Sequence, residues 1–256
     1  MEVSKKIIWF RVIVIFALGV VGILSMLPII PKLLAASGQA PPFSMFIVQA
    51  ISVLQSAVIL MVMVMLGAWL SPKIGLGTPL LDAYLQRTWN QLNLGQILGS
   101  AAVGGILGGV LLVLFTQIST PHLPPEFLDN AKDFSPPLYT KLLYGGITEE
   151  ILIRWGLMSF VVWGSFRLTQ SKDSKVRAYH YILGIVVSAF IFGLGHLPVA
   201  SLLSPVVTNE LVAYIIVGNS IFGLIAGYLY WQRGLEAAIL GHMLAHVVMV
   251  VGEAFF

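Results

Sequence analysis

Six side chains of types that do acid–base chemistry stand in apolar surroundings in this sequence. Glu149, Glu150 and Arg154 share one hydrophobic stretch, His196 closes the next, and His242 and His246 lie in the last. An ionisable group inside a bilayer costs several kcal/mol and normally faces a bundle interior, a partner or a wet cavity. Glu150 and Arg154 are four residues apart with the acid N-terminal, the favourable orientation for an ion pair on one helical face. Glu149 projects about 100° away from Glu150 around a regular helix, so one carboxylate is neutralised locally while the other stays available for chemistry. An ion pair that only fixes helix packing is the simpler reading of Glu150 and Arg154. His242 and His246, at i and i+4, project from one face, where they could bind a metal or flank a substrate. The glutamate that accompanies such a pair in soluble zinc proteases is missing from His242-Met243-Leu244-Ala245-His246. His196 alone is ambiguous, since a histidine at the end of an apolar stretch is often a satisfied interfacial residue. Three separate helices each supplying groups of catalytic type make a stronger signal than any one of them.

The elements that must position these groups follow from composition. Of 256 residues, 58% are hydrophobic and 10% charged, with a net charge of +3. Soluble domains average about 45–50% apolar and about 25% charged residues, so a water-soluble globule, a disordered chain and a nucleic-acid-binding domain are excluded. The chain has no Cys, which removes disulfides, Cys-ligated zinc, iron–sulfur clusters and a cysteine nucleophile. The class is an all-α polytopic transmembrane helix bundle.

A helix crossing hydrocarbon needs about 20 mostly apolar residues, because lipid offers the backbone no partners. Seven stretches qualify: 7–30, 43–70, 95–118, 138–166, 179–197, 211–231 and 235–255. Pro28 and Pro31 close the first, Pro41 and Pro42 precede the second, and Ser71-Pro72 ends it. Only Gly234 and its neighbours separate the last two, which predicts a tight antiparallel hairpin. The first stretch is too long for a signal peptide, and Ala35-Ala36-Ser37 lies far downstream as a cleavage site. With the N-terminus in the cytoplasm, Lys5, Lys6, Arg11, Lys73, Arg87, Arg167, Lys172, Lys175, Arg177 and Arg233 fall inside. Only Lys32, Lys132 and Lys141 fall outside, so the positive-inside rule predicts seven crossings, N-in and C-out. Gly104, Gly105, Gly108 and Gly109 in the third span, and Gly223 and Gly227 in the sixth, predict close helix packing. Residues 1–256 form a single membrane-embedded domain with the motifs in 138–256. His122 and His180 lie in or beside polar loops and receive no role. Glu236 and Glu253 lie near span ends, within reach of interfacial water. Trp155, Trp163, Tyr228, Tyr230 and Trp231 read as interface anchors or packing residues.

Glu149-Glu150-x-x-x-Arg154, Phe192-x-x-x-His196 and His242-x-x-x-His246 together resemble the CPBP family of intramembrane proteases. That group includes type II CAAX prenyl endopeptidases and Abi-type bacteriocin-processing or immunity proteins. The likeness covers 138–256; the first three spans agree only in being hydrophobic. It implies an intramembrane endopeptidase of the cell membrane, acting on a membrane-associated protein or peptide whose tail could be CAAX-prenylated. Glu149 would be the base, His196 its partner in activating water, and His242 a stabiliser of the oxyanion, with Glu150 and Arg154 in supporting positions. The family motif usually ends in His-x-x-x-Asn or Asp, whereas this chain has His246, which could donate a hydrogen bond instead or bind metal. The family carries a metalloprotease label, and Glu149, His196, His242 and His246 are the candidate ligands for a divalent ion such as zinc. A metal-free Glu/His activation of water suits the same residues, and the sequence leaves this open.

At 1.5 Å per residue, Glu149 lies about 16 Å in from the outer end of its span and His242 about 12 Å from the inner end. These two can meet near mid-membrane. His196 is too close to the outer end, unless its helix begins deeper and continues past Pro198 toward Leu203, or the pocket sags outward. Two other functional classes compete: a proton- or ion-coupled transporter, because buried Glu, Arg and His also form relays, and a non-catalytic membrane scaffold of the same fold. The two halves of the chain show none of the similarity that inverted-repeat transporters carry.

Overall fold

Residues 5–36, 38, 43–169 and 175–255 are described in the computed structural model of the chain. Ser37, Pro41, Pro42, Lys172 and Phe256 lie outside the described residues, as do the side chains of Lys5 and Lys6. Seven helices in the described residues are long and apolar enough to cross a membrane. They are Ile7–Ser25, Met45–Ile74, Leu94–His122, Leu138–Thr169, Ala178–Leu203, Asn209–Arg233 and Leu235–Glu253, referred to as the first to seventh spans. The fold is all-α. Gly234, at φ 91°, turns the sixth span directly into the seventh.

The fourth span is the hub. It packs against the first, second, fifth and seventh spans, and its Ile151, Trp155, Met158 and Val162 are wholly buried. Apolar contact alone gives little preference for protein over lipid, so polar ties to neighbouring backbones matter here. Thr140 Oγ1 donates to the Ser25 carbonyl at 3.0 Å and Thr148 Oγ1 to the Gly19 carbonyl at 2.8 Å, fastening the fourth span to the first. Trp155 Nε1 donates to the Val64 carbonyl of the second span at 3.1 Å, so this residue is a packing residue. Tyr230 is likewise interior, its hydroxyl 2.9 Å from Ser159 Oγ.

The third span serves two neighbours through its paired glycines. A Cβ on Gly104 or Gly108 would strike Leu229 or Phe222 of the sixth span, and one on Gly105 or Gly109 would strike Leu244 or Val248 of the seventh. The absent side chains let three helix backbones approach closely. Short helices cap one end of the bundle: Ile30–Ala36, Pro125–Phe134 and Leu197–Leu203 meet there, over a small core containing Leu123, Phe127, Ala200, Leu203 and Leu211. Helix Pro79–Gln86 lies against the N-terminal part of the seventh span at the opposite end.

His180 stands beside the loop before the fifth span, as expected, and is buried there: its Nδ1 accepts from the Arg177 N–H at 3.0 Å and its Nε2 lies 2.8 Å from Thr169 Oγ1, closing the N-terminus of the span. Glu236 does not reach interfacial water: Oε1 accepts from the Leu81 N–H at 2.9 Å, and Oε2 is buried without a partner among the described residues. Arg11, which the charge rule assigns to the cytoplasmic end, is buried in the bundle and ion-paired to Asp82.

Candidate active site

The fourth span is not a regular α-helix where the acids lie. Lys141–Glu149 and Ile151–Met158 are π-helical, with Glu150 between them. A π-turn hydrogen-bonds i to i+5 and is wider than an α-turn; such turns are rare and frequent at functional sites. The 100° separation expected for a regular helix therefore does not apply here, yet the two carboxylates still face different partners.

Glu150 turns into the bundle. Its Oε1 lies 3.3 Å from Arg154 Nη1, and both side chains are 0% exposed. The same oxygen accepts from His242 Nδ1 at 2.7 Å. Arg154 is held in turn by its Nη2 donating to the Gly223 carbonyl at 3.0 Å, and its guanidinium stands 5.1 Å from the Phe192 ring centroid. The pair is therefore more than local neutralisation: it clamps the fourth span to the fifth, sixth and seventh, and it orients an imidazole.

Glu149 turns the other way and presents Oε1 3.8 Å from His196 Nε2. The position of His196 depends on a break in the fifth span. A helix over Ala178–Gly195 stops, His196 takes φ −90°, ψ −13°, and a second helix runs over Leu197–Leu203. Pro198, with no N–H to donate, sits in the first turn of that second segment. The break at His196 and the chamber's extension to the capped end together bring this imidazole to Glu149. The His196 Nδ1–H donates to the Phe192 carbonyl at 2.8 Å, so in the neutral ring Nε2 offers a lone pair toward Glu149.

His242 and His246 stack on one face of the seventh span, with centroids 4.7 Å apart and planes 16° apart. Phe222 covers His242 at 4.4 Å. His246 Nε2 is buried without a hydrogen-bond partner among the described residues. Gly145 leaves room for it, since a Cβ there would land on that nitrogen.

Glu149, His196, His242 and His246 all line one cavity of about 430 Å³, joined by Tyr144 and Asn219. Leu33, Phe127, Phe134 and Val199 from the capping helices also line it, so the chamber extends from mid-bundle to the capped end. Sequence reasoning missed the Glu150–His242 bond, which spans 92 positions, and it missed Tyr144 and Asn219. The signal for Asn219 was an amide inside an otherwise apolar span. For the Glu150–His242 bond there was none.

Residues 133–248, under half of the chain, match the family model described as Rce1-like, type II CAAX prenyl endopeptidase Rce1-like. The matched stretch contains Glu149, Glu150, Arg154, His196, His242 and His246. No curated protein and no solved structure matches the chain. The likeness hints at intramembrane proteolysis and leaves substrate and mechanism to chemistry.

A catalytic zinc site needs three protein donors converging on one point. No group of three or more His, Asp or Glu side chains among the described residues is arranged to hold a metal ion. His242 Nδ1 is bonded to Glu150, the kind of carboxylate bond that orients a metal-ligating imidazole, so its Nε2 and the unpartnered Nε2 of His246 remain free as donors.

Proposed function

We propose that this protein is an intramembrane endopeptidase that hydrolyses a peptide bond of a membrane-associated protein or peptide through a water activated by Glu149 and His196. The observation that carries the reading is the approach of Glu149 Oε1 to His196 Nε2, at 3.8 Å on the wall of the cavity. Two acceptors at this separation can both be reached by one water molecule. Such a water, donating to the carboxylate and to the imidazole lone pair, has its oxygen free to attack a carbonyl carbon. Glu149 takes the proton as the C–O bond forms and later delivers it to the leaving amine, the usual economy of a general base that becomes a general acid.

His242 works on the other side of the scissile carbonyl. Its Nδ1–H is committed to Glu150, so Nε2 carries a proton only when the ring holds both. In that form it donates to the developing oxyanion, and donors fixed in a dry cavity act strongly there. Glu150 is a positioning residue, acting through His242.

The substrate fits the same reasoning. Apolar side chains from the capping helices extend the chamber beyond the polar cluster, which suits a peptide bearing a long apolar group. A CAAX-prenylated tail is a substrate of that kind, suggested by the family-model likeness over 133–248.

The test uses the purified chain in phospholipid nanodiscs, with a quenched farnesylated CAAX peptide and its unprenylated counterpart. Removing a general base typically costs 10²–10⁴-fold. Glu149→Gln should therefore lose at least about 10²-fold in cleavage, while Glu253→Gln, at an exposed carboxylate, remains active. Full cleavage by a folded Glu149→Gln protein would eliminate the reading.

A further inference from the structure

At the end of the bundle opposite the capping helices lies a second cavity, of about 530 Å³, that takes no part in the hydrolytic reading. Its wall includes residues that begin three helices: Thr78 before Pro79–Gln86, Asn93 before the third span, and Gly234 before the seventh. Helix N-termini carry partial positive charge and unpaired N–H groups, which suits an anion. Most of those backbone donors are already used: Asn93 Oδ1 accepts from the Gln96 N–H, the Asn93 carbonyl from Ile97, Glu236 Oε1 from Leu81 and the Gly77 carbonyl from Leu235, so side chains must supply the ligand's partners.

Independent of the helix ends, Arg11 lines the same cavity. It is only 4% exposed, and one end of its guanidinium pairs with Asp82. Its Nε is buried without a hydrogen-bond partner among the described residues. An unpaired buried guanidinium N–H is costly to leave in place. Arg233 stands on the same wall, with Nε donating to Ser100 Oγ at 3.1 Å and Nη1 to the Gln232 carbonyl at 3.0 Å. The cavity wall thus carries two arginines and one carboxylate, Asp82, which pairs with Arg11.

The depth of the cavity indicates where its ligand comes from. It lies at the ends of the second and sixth spans and the beginnings of the third and seventh. Exposed Trp69 and Trp89 mark this end, and Lys73 stacks over Trp69 at 4.0 Å. Aromatic and basic residues collect at head-group depth, and this is the end where the charge rule places the cytoplasmic leaflet, with its anionic lipids.

We infer that this cavity binds the phosphate ester of an anionic phospholipid, held by Arg233, the Arg11 Nε–H and the exposed side-chain amide of Gln96. The ligand would fasten the end of the bundle where the first, third, sixth and seventh spans meet helix Pro79–Gln86.

The test is thermal unfolding of the full chain in maltoside detergent, titrated separately with dioleoylphosphatidylglycerol, dioleoylphosphatidylcholine and glycerol 3-phosphate. Phosphatidylglycerol should raise Tm saturably and phosphatidylcholine should not. Arg233→Gln should move the half-saturating concentration up by about tenfold, the size of one charge-assisted hydrogen bond. Gln96→Ala, at an exposed position on the cavity wall, supplies a second readout should the arginine variant fold poorly, and it should weaken the response in the same direction. Equal protection by glycerol 3-phosphate would overturn the lipid assignment and leave a soluble phosphate ester as the ligand. Equal shifts with both lipids, or responses unchanged in both variants, would overturn the site itself.

Discussion

Glu150 Oε1 is shared by a guanidinium and an imidazole, so one buried oxygen ties structure to chemistry. Glu150→Gln keeps an acceptor for His242 Nδ1–H but removes the charge. By analogy with the carboxylate that orients a catalytic histidine, whose amide replacement costs about 10⁴-fold, cleavage should fall by 10²-fold or more while the helical circular dichroism stays unchanged. Arg154→Met should be worse for folding than for chemistry. Breaking a buried pair leaves an uncompensated charge and costs about 3–5 kcal/mol, readable as early unfolding in an SDS titration. The double variant Glu150→Gln with Arg154→Met should recover part of that loss, which a merely additive pair would not. His246 bears differently on the site: its Nε2 is buried without a partner among the described residues. His246→Asn, one of the two residues usual at this place in the resembling family, should keep cleavage within about tenfold of the parent and leave folding intact, since an amide donates a hydrogen bond of similar worth.

Two elements convert sequence motifs into a site, and both depart from the ideal helix. The π-helical stretches on either side of Glu150 carry neighbouring carboxylates that serve separate partners, and the break at His196 brings an imidazole to meet Glu149. The fit between the fourth and seventh spans is as tight as a missing Cβ. Gly145→Ala would put a methyl onto His246 Nε2, and such overpacking costs about 1–3 kcal/mol. In an SDS titration the loss should shrink markedly when His246→Ala is combined with it, because contacting residues are energetically coupled. Equal losses in the two backgrounds would mean that the two helices do not meet at this point.

At the scale of the molecule, the bundle separates two cavities, one reaching the apolar capped end and one at the basic end. Because the chain has no native Cys, single-cysteine reporters test its orientation cleanly. Asp129→Cys should react with an impermeant maleimide on intact cells, and Arg87→Cys only after lysis, as the positive-inside distribution requires. The reverse pattern would invert the topology. On the metal-free reading, dialysis against a strong chelator should leave cleavage unchanged; a loss restored by added zinc would replace that chemistry.

Composition and spacing alone determined the membrane class, the seven spans and the side chains worth watching, because hydrocarbon forces long apolar helices and makes every buried charge conspicuous. The i,i+4 relations of Glu150 with Arg154 and of His242 with His246 were equally legible, being local properties of a helix. The partners were not. That Glu150 holds His242, that Glu149 meets His196 and that Arg154 anchors on the Gly223 carbonyl depend on how four spans rotate and slide against one another. Close-packed glycines and inter-helix hydrogen bonds set those rotations, and both act between residues too far apart in the chain for any local pattern to record them.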